Sequence, residues 1–478
     1  MRRTISTLQR RPHGARSAAL PFRVDPASFL LVAMLAVLWV AGGASRADVM
    51  GQVIARAAAW AALVVTALIG RRPSFAGQRP VVALLGVAIL IPLVQLVPLP
   101  PAIWQALPGR ALFAQAVGEG ASQPWRPLSL VPGATENAAG ALVVPATILL
   151  LLAQLRDDAR DRLPGLVLGL IVAATILALL QFSTGGLDNP LINETVGQVS
   201  GPFANRNHFA LLMAVGCVLA PAWAFLDHHR GTRRLSWRAP VALGLVLLFF
   251  LMILGSGSRA GLLLGGVGVC LGLALVQREV RGALAHYPRW VFPTVLGGII
   301  GVVAIFVIFS IAADRAVSID RILVDDGIQD MRRRALPTVL AMIGEYFPVG
   351  SGMGSFDPVF RLHEPFDLLK LTFFNHAHND ILEIMTDSGI AGALLLIASF
   401  VWWAWISVRV WRAKGRRNAM LPRLGSTILL LVAIASLFDY PARTPLVMAV
   451  VVMAATWLSG GANLRVGRAA LPKRGEHL

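Results

Sequence analysis

Between Asn375 and Gly392 the chain reads NHAHNDILEIMTDSGIAG. Histidines, an asparagine and carboxylates stand there at the entrance to an apolar run. That run, from about Ile390 to Trp411, is long enough to span a bilayer. Titratable groups at a membrane boundary are costly and usually mark function. Asp380 followed three residues later by Glu383 resembles a capping box, so a helix is predicted to start near Asp380. His378 then precedes the first turn, where free N–H groups and the positive helix end favour an anion such as phosphate. A neutral imidazole at such a place is a candidate general base. His376 and Asn379 flank it as candidate substrate-binding groups. A metal is the second reading, with His376, His378, Asp380 and Glu383 as ligands. Two histidines two apart are a weaker signal than a full zinc signature. In the plainest reading, Asn379 and Asp380 only cap the helix and His376 bonds within its loop.

The elements that position these groups are membrane spans. The chain is 56% hydrophobic and only 14% charged, against roughly a quarter charged in soluble domains. Its mean hydropathy is +0.68. The formal net charge of +18 fits positive loops on the cytoplasmic side better than nucleic acid. Cys217 and Cys270 lie inside apolar runs, so neither a disulfide nor a cysteine metal site is expected. Apolar stretches fall at 28–44, 52–70, 80–98, 139–155, 163–182, 206–226, 239–256, 259–276, 291–313, 389–411, 424–438 and 445–459. With the N-terminus inside, the cytoplasmic connections hold most of the 43 lysines and arginines, and the outward ones far fewer apart from the long loop between spans nine and ten. That alternation predicts an all-α polytopic bundle of about twelve spans with both termini cytoplasmic.

The predicted organisation is a basic tail (1–27), spans one to nine (28–313), a large outward loop (314–388), spans ten to twelve (389–459) and a second tail (460–478). Another long outward loop, from Leu99 to about Ala138, carries Trp104 and Trp125 as expected interfacial anchors. In the larger loop, Ala335–Phe347 is predicted to be a short amphipathic helix, followed by the glycine-rich turn PVGSGMGSF. The glycines of that turn are a weak nucleotide-loop signal, because no strand precedes them. The glycines of span eight are expected to allow close helix packing.

Several arginines share the outward face with His378. Arg206 lies in GPFANRNHFA beside Asn207, and Arg259 in GSGSRAGLLLG. Arg332, Arg333 and Arg334 open the amphipathic segment, and Arg443 lies in DYPARTP. Arginine suits bidentate binding of phosphate oxygens. Each of these could instead be a snorkelling anchor.

His378-Asn379, nine residues, Gly389, two residues and Gly392 resembles the signature of the O-antigen ligase and polymerase superfamily. Arg259 with Leu263 is similar to that family's Arg-x-x-x-Leu element. The loop arginines with PVGSGMGSF, and GPFANRNHFA, resemble further family segments; together they cover roughly 195–460. Pro337 stands near where the family often has a tryptophan, and the spacing to Pro348 favours Arg333 as the family's loop arginine.

The resemblance implies a GT-C-like membrane glycosyltransferase that needs neither metal nor ATP, with no cofactor. Its donor would be a glycan on undecaprenyl diphosphate. The acceptor would be lipid A core, another lipid-linked glycan or a protein hydroxyl. His378 would be the base or the acceptor-orienting group, and Arg259, Arg333, Arg334, Arg206 and Arg443 would serve the diphosphate. The resemblance also implies the bacterial inner membrane, with a periplasmic site and no nucleic-acid partner. A transporter or flippase of lipid-linked sugars is the competing class; it favours charges at the bilayer midplane, whereas these polar groups gather on one face.

Overall fold

The computed structural model describes residues 25–115, 117, 121–184, 187, 189–192, 198–226, 232–283, 327–369, 374–413 and 419–463, with a few single positions between 288 and 301. Among the described residues, eight helices are long and apolar enough to cross a membrane, and three shorter ones are also apolar. The first is α1 (Pro26–Ala41), followed by α2 (Met50–Ile69) and α3 (Arg79–Gln95). Next come α4 (Pro101–Gln105) and α5 (Ala111–Ala114), then α6 (Pro132–Ala141) and α7 (Val143–Gln154), which form one apolar rod. The remaining rods of the first part are α8 (Asp157–Thr184), α9 (Arg206–Leu226), α10 (Thr232–Gly255) and α11 (Arg259–Ala283). After α12 (Gly327–Tyr346) and α13 (Phe356–His363), the chain closes with α14 (Asp380–Arg412), α15 (Met420–Ala435) and α16 (Pro445–Ser459). These helices coincide with all but one of the predicted apolar stretches. The exception, 291–313, lies outside the described residues apart from a few single positions, and the two tails beyond them and the start of the large loop lie outside as well.

α9 is the centre of the bundle. It is apolar all round, and 78% of its apolar window is buried, as expected of a helix with neighbours on every side. α11 comes close enough to touch its backbone. A Cβ on Gly268 would stand 2.8 Å from the Ala214 carbonyl oxygen, and one on Gly272 would stand 2.6 Å from that of Cys217. The expected close packing of this glycine-bearing helix is therefore helix against helix.

A smaller module sits on one end of the bundle. α12 and α13 share an apolar cluster of Val339, Met342, Tyr346, Phe356, Val359, Phe360 and Phe374. Each such buried side chain contributes about 1.5–3 kcal/mol relative to exposure. The loop between α3 and α6 joins this module. A two-residue ribbon pairs β1 (Pro98–Leu99) with β2 (Arg126–Pro127), and Leu130 N donates to Ser351 O at 2.8 Å. Arg110, fully buried, donates to Leu128 O at 2.7 Å and Gly350 O at 3.1 Å. Trp104 departs from the sequence expectation. It is buried, and its indole donates to Pro127 O at 2.9 Å, because the loop folds back over it. Trp125 remains exposed.

Candidate active site

His378 stands where the module meets the bundle. It is the one non-glycine residue with positive φ (+50°) among the described residues. Such backbone costs of order 1–3 kcal/mol and persists only where its surroundings impose it. The constraint is Asn379, the N-cap of α14. Its side-chain oxygen accepts from Ile381 N (3.0 Å) and Leu382 N (3.1 Å), and its amide donates to Leu437 O (3.1 Å).

This start matches the predicted helix boundary but corrects the predicted cap. Glu383 does not close a box with Asp380. Its carboxylate takes His376 Nδ1 at 2.8 Å and Ala377 N at 2.9 Å. Asp380 N donates to Ser436 O and Glu383 N to Asn379 O. The first four N–H groups of α14 therefore all have protein acceptors, so this helix end is not an open anion site.

Two polar networks meet around Tyr440. In the first, His378 Nδ1 lies 2.8 Å from Arg332 Nη2 and 3.1 Å from Asp439 Oδ1. Asp439 Oδ2 accepts from Asn205 (2.9 Å) and Asn207 (2.5 Å), while Tyr440 N donates to Oδ1 at 3.1 Å. Ser258 Oγ continues the chain by donating to Asn207 at 2.7 Å, and it accepts from Gly261 N at 2.8 Å, which caps α11. In the second network, His376 spans Glu383 and Ser45 Oγ (3.2 Å). Arg443 there meets Glu383 at 3.2 Å, Asp380 at 3.3 Å and Asp387 at 3.8 Å. The Tyr440 ring lies 4.0 Å from the His376 ring and 5.1 Å from that of His378.

Electrostatics separates the roles. Burial pushes the His378 imidazole below its ordinary value, partly opposed by Asp439. Burial works against ionising Asp439, yet its close contact with His378 and the charge of Arg332 hold its carboxyl well below the usual range. Arg443 is held firmly protonated against its own burial by Glu383, Asp387 and Asp380. The site therefore pairs a neutral imidazole with an ionised carboxylate. His378 Nε2 has no hydrogen-bond partner among the described residues, so it is the nitrogen left for a ligand.

The predicted residues divide between these networks. Arg332 touches His378. Its neighbour Arg333 is exposed, and Arg334 is engaged by Asp367 at 2.5 Å. Arg206 lies between the two asparagines that hold Asp439, and Arg259 directly follows Ser258. Arg443 serves three carboxylates of α14. The four residues considered for a metal are split: His378 belongs to the Asp439 network, whereas His376, Asp380 and Glu383 belong to that of Arg443. Asp439, Tyr440, Asn205, Ser258 and Ser45 were not foreseen. Asp439 had a signal, since it is a carboxylate in the same short turn as Arg443.

The glycines of the histidine signature shape the floor of the site. Gly389 (φ +50°, ψ −133°) breaks α14. There Ile390 N donates to Pro348 O at 2.8 Å, Ser351 N to Thr386 O at 3.0 Å and Gly352 N to Asp387 O at 2.8 Å. A Cβ on Gly389 would stand 2.1 Å from Pro348 O. The glycine-rich turn thus docks backbone to backbone on the kink, and fixes α12 with its Arg332 over His378.

Residues 243–397, which run from α10 through the kink of α14, match the family model described as O-antigen ligase. No curated protein matches the chain.

Proposed function

Starting from a chain that residues 243–397 place in the O-antigen ligase and polymerase superfamily, we propose that it transfers a glycan from undecaprenyl diphosphate to an acceptor hydroxyl. The reaction takes place at the periplasmic face of the bacterial inner membrane, with both termini in the cytoplasm. The observation that carries this reading is the His378 constellation. A buried neutral imidazole is held through Nδ1, its Nε2 is left for a ligand, and arginines enter the same end of the bundle on α9, α11 and α12.

In this reading the acceptor oxygen bonds to the anomeric carbon as the bond to the diphosphate breaks. The bonding pair leaves with the lipid diphosphate, and the hydroxyl proton passes to His378 Nε2. Proton transfer of this kind contributes typically about 10²–10⁴-fold. Arg332, Arg259 and Arg206 offset charge growing on the leaving group. The diphosphate is already a good leaving group, so the chemistry calls for neither ATP nor a metal. The gathering of polar groups at one end of the bundle, not at its middle, favours transfer over transport.

His378→Ala tests this. Purified protein with lipid-linked donor and acceptor, run with chelator and without ATP, is expected to lose transfer while membrane abundance stays at the wild-type level. Wild-type amounts of product of normal length would remove His378 from the mechanism.

A further inference from the structure

His378 Nδ1 has two claimants. Arg332 Nη2 lies 2.8 Å from it and Asp439 Oδ1 lies 3.1 Å from it. A neutral imidazole nitrogen either donates or accepts, a guanidinium only donates, and a carboxylate only accepts. The two contacts therefore demand opposite tautomers. With Arg332 donating, Nδ1 offers its lone pair and the ring proton sits on Nε2. With Asp439 accepting, the proton sits on Nδ1, and Nε2 is free to act as a base.

In the resting protein the geometry favours Arg332. Asp439 is already supplied by Asn205, Asn207 and Tyr440 N. Arg332 Nη2, in contrast, reaches that carboxylate only at 4.0 Å. Arg332 also has unspent capacity. Its Nε is buried without a hydrogen-bond partner, and its Nη1 is held by a single backbone carbonyl, Phe438 O at 3.0 Å. A fork of this kind is suited to an anion with several oxygens.

We propose that Arg332 gates the base: it holds His378 in the inactive tautomer until a diphosphate draws the guanidinium away. The ring then gives its Nε2 proton to water and takes one from water at Nδ1, so that neither the ring nor the solvent changes in net charge. Nδ1–H donates to Asp439, and Nε2 faces the acceptor hydroxyl. Arg332 is in this sense a positioning residue for His378. An acceptor that arrives before the donor meets a nitrogen that cannot take its proton, so the base is ready only once the donor is bound. The identity of the anion rests on the glycan-transfer reading; the competition for Nδ1 does not.

The test is the ring-nitrogen NMR spectrum of full-length protein labelled with ¹⁵N-histidine in lipid nanodiscs, with His378 assigned by its loss in His378→Gln. Wild type alone is expected to show Nε2–H, and wild type with inorganic pyrophosphate Nδ1–H. Arg332→Met is expected to show Nδ1–H with or without pyrophosphate; Arg332→Ala replaces it if methionine disturbs the fold. The same tautomer in wild type and both variants would overturn the hold of Arg332 on the ring. A switch in the variants with no response of wild type to pyrophosphate would overturn the gate. Neither outcome depends on glycan transfer, which is tested separately by product formation in His378→Ala.

Discussion

Asp439→Asn changes one oxygen into an NH₂ group and should cripple the site through orientation. The position of Oδ2 is fixed by two amide donors, Asn205 at 2.9 Å and Asn207 at 2.5 Å. The new amide must therefore keep its oxygen there and turn its NH₂ towards His378. That group donates to Nδ1 and locks the proton on Nε2, where the reaction needs a lone pair. The loss expected is the whole of the base contribution, about 10²–10⁴-fold in kcat, or about 3–5 kcal/mol of barrier. The same rotation removes the acceptor for Tyr440 N (3.1 Å), so folding stability should fall by about 1–3 kcal/mol. Asp439→Ala leaves the tautomers free to exchange, and should retain more transfer than the conservative variant. Single-turnover transfer and thermal unfolding on both variants measure these effects. Transfer by Asp439→Asn within about threefold of wild type, less than 1 kcal/mol of barrier, would refute the assignment of Nε2 as the base. So would a variant order in which alanine is the worse.

Three further outcomes follow from the geometry. Protonation silences His378 as a base, and its folded value lies below the ordinary 6.5. Transfer should therefore hold at pH 6.5 and fall only as the pH drops through that lower value; a pH–rate profile with its acid limb above 6.5 would contradict this. Gly389→Ala places a methyl group 2.1 Å from Pro348 O in a conformation nearly reserved for glycine. Backbone strain of about 1–3 kcal/mol, and the docking hydrogen bonds at about 0.5–1.5 kcal/mol each, together predict a loss of about 3–7 kcal/mol in chemical denaturation. Arg259→Lys keeps a charge at the start of α11 but loses the planar fork, so it should raise the KM for donor strongly, and Arg259→Ala should do so more. Normal kinetics in Arg259→Lys would move the diphosphate site elsewhere.

What was legible in the sequence was local. Apolar length marks each rod, and span alternation brings α9, α11, α14 and α16 into one end with their N-termini. Asn379 and the run after it mark the start of α14. The close approach of α11 to α9 follows from the glycines that α11 carries. What stayed hidden was long-range. Asp439 lies 61 residues from His378 and gains its meaning only when the turn after α15 folds over α14. Glu383 looked like a capping partner because sequence spacing does not show that a histidine and an N–H from the preceding loop will claim it. Which of Arg332, Arg333 and Arg334 touches His378 depends on helix phase. On α12, Arg332 faces His378, Arg333 faces outward and Arg334 meets Asp367.

The Arg443 network has a consequence for biogenesis. Asp380, Glu383 and Asp387 enter the membrane boundary on α14, but the cation that neutralises them is synthesised more than fifty residues later, between α15 and α16. Until that final hairpin inserts, the nascent chain holds a cluster of acids with no counter-charge. Asp439, which orients His378, arrives on the same hairpin. Completion of the bundle and assembly of the active site are thus one event.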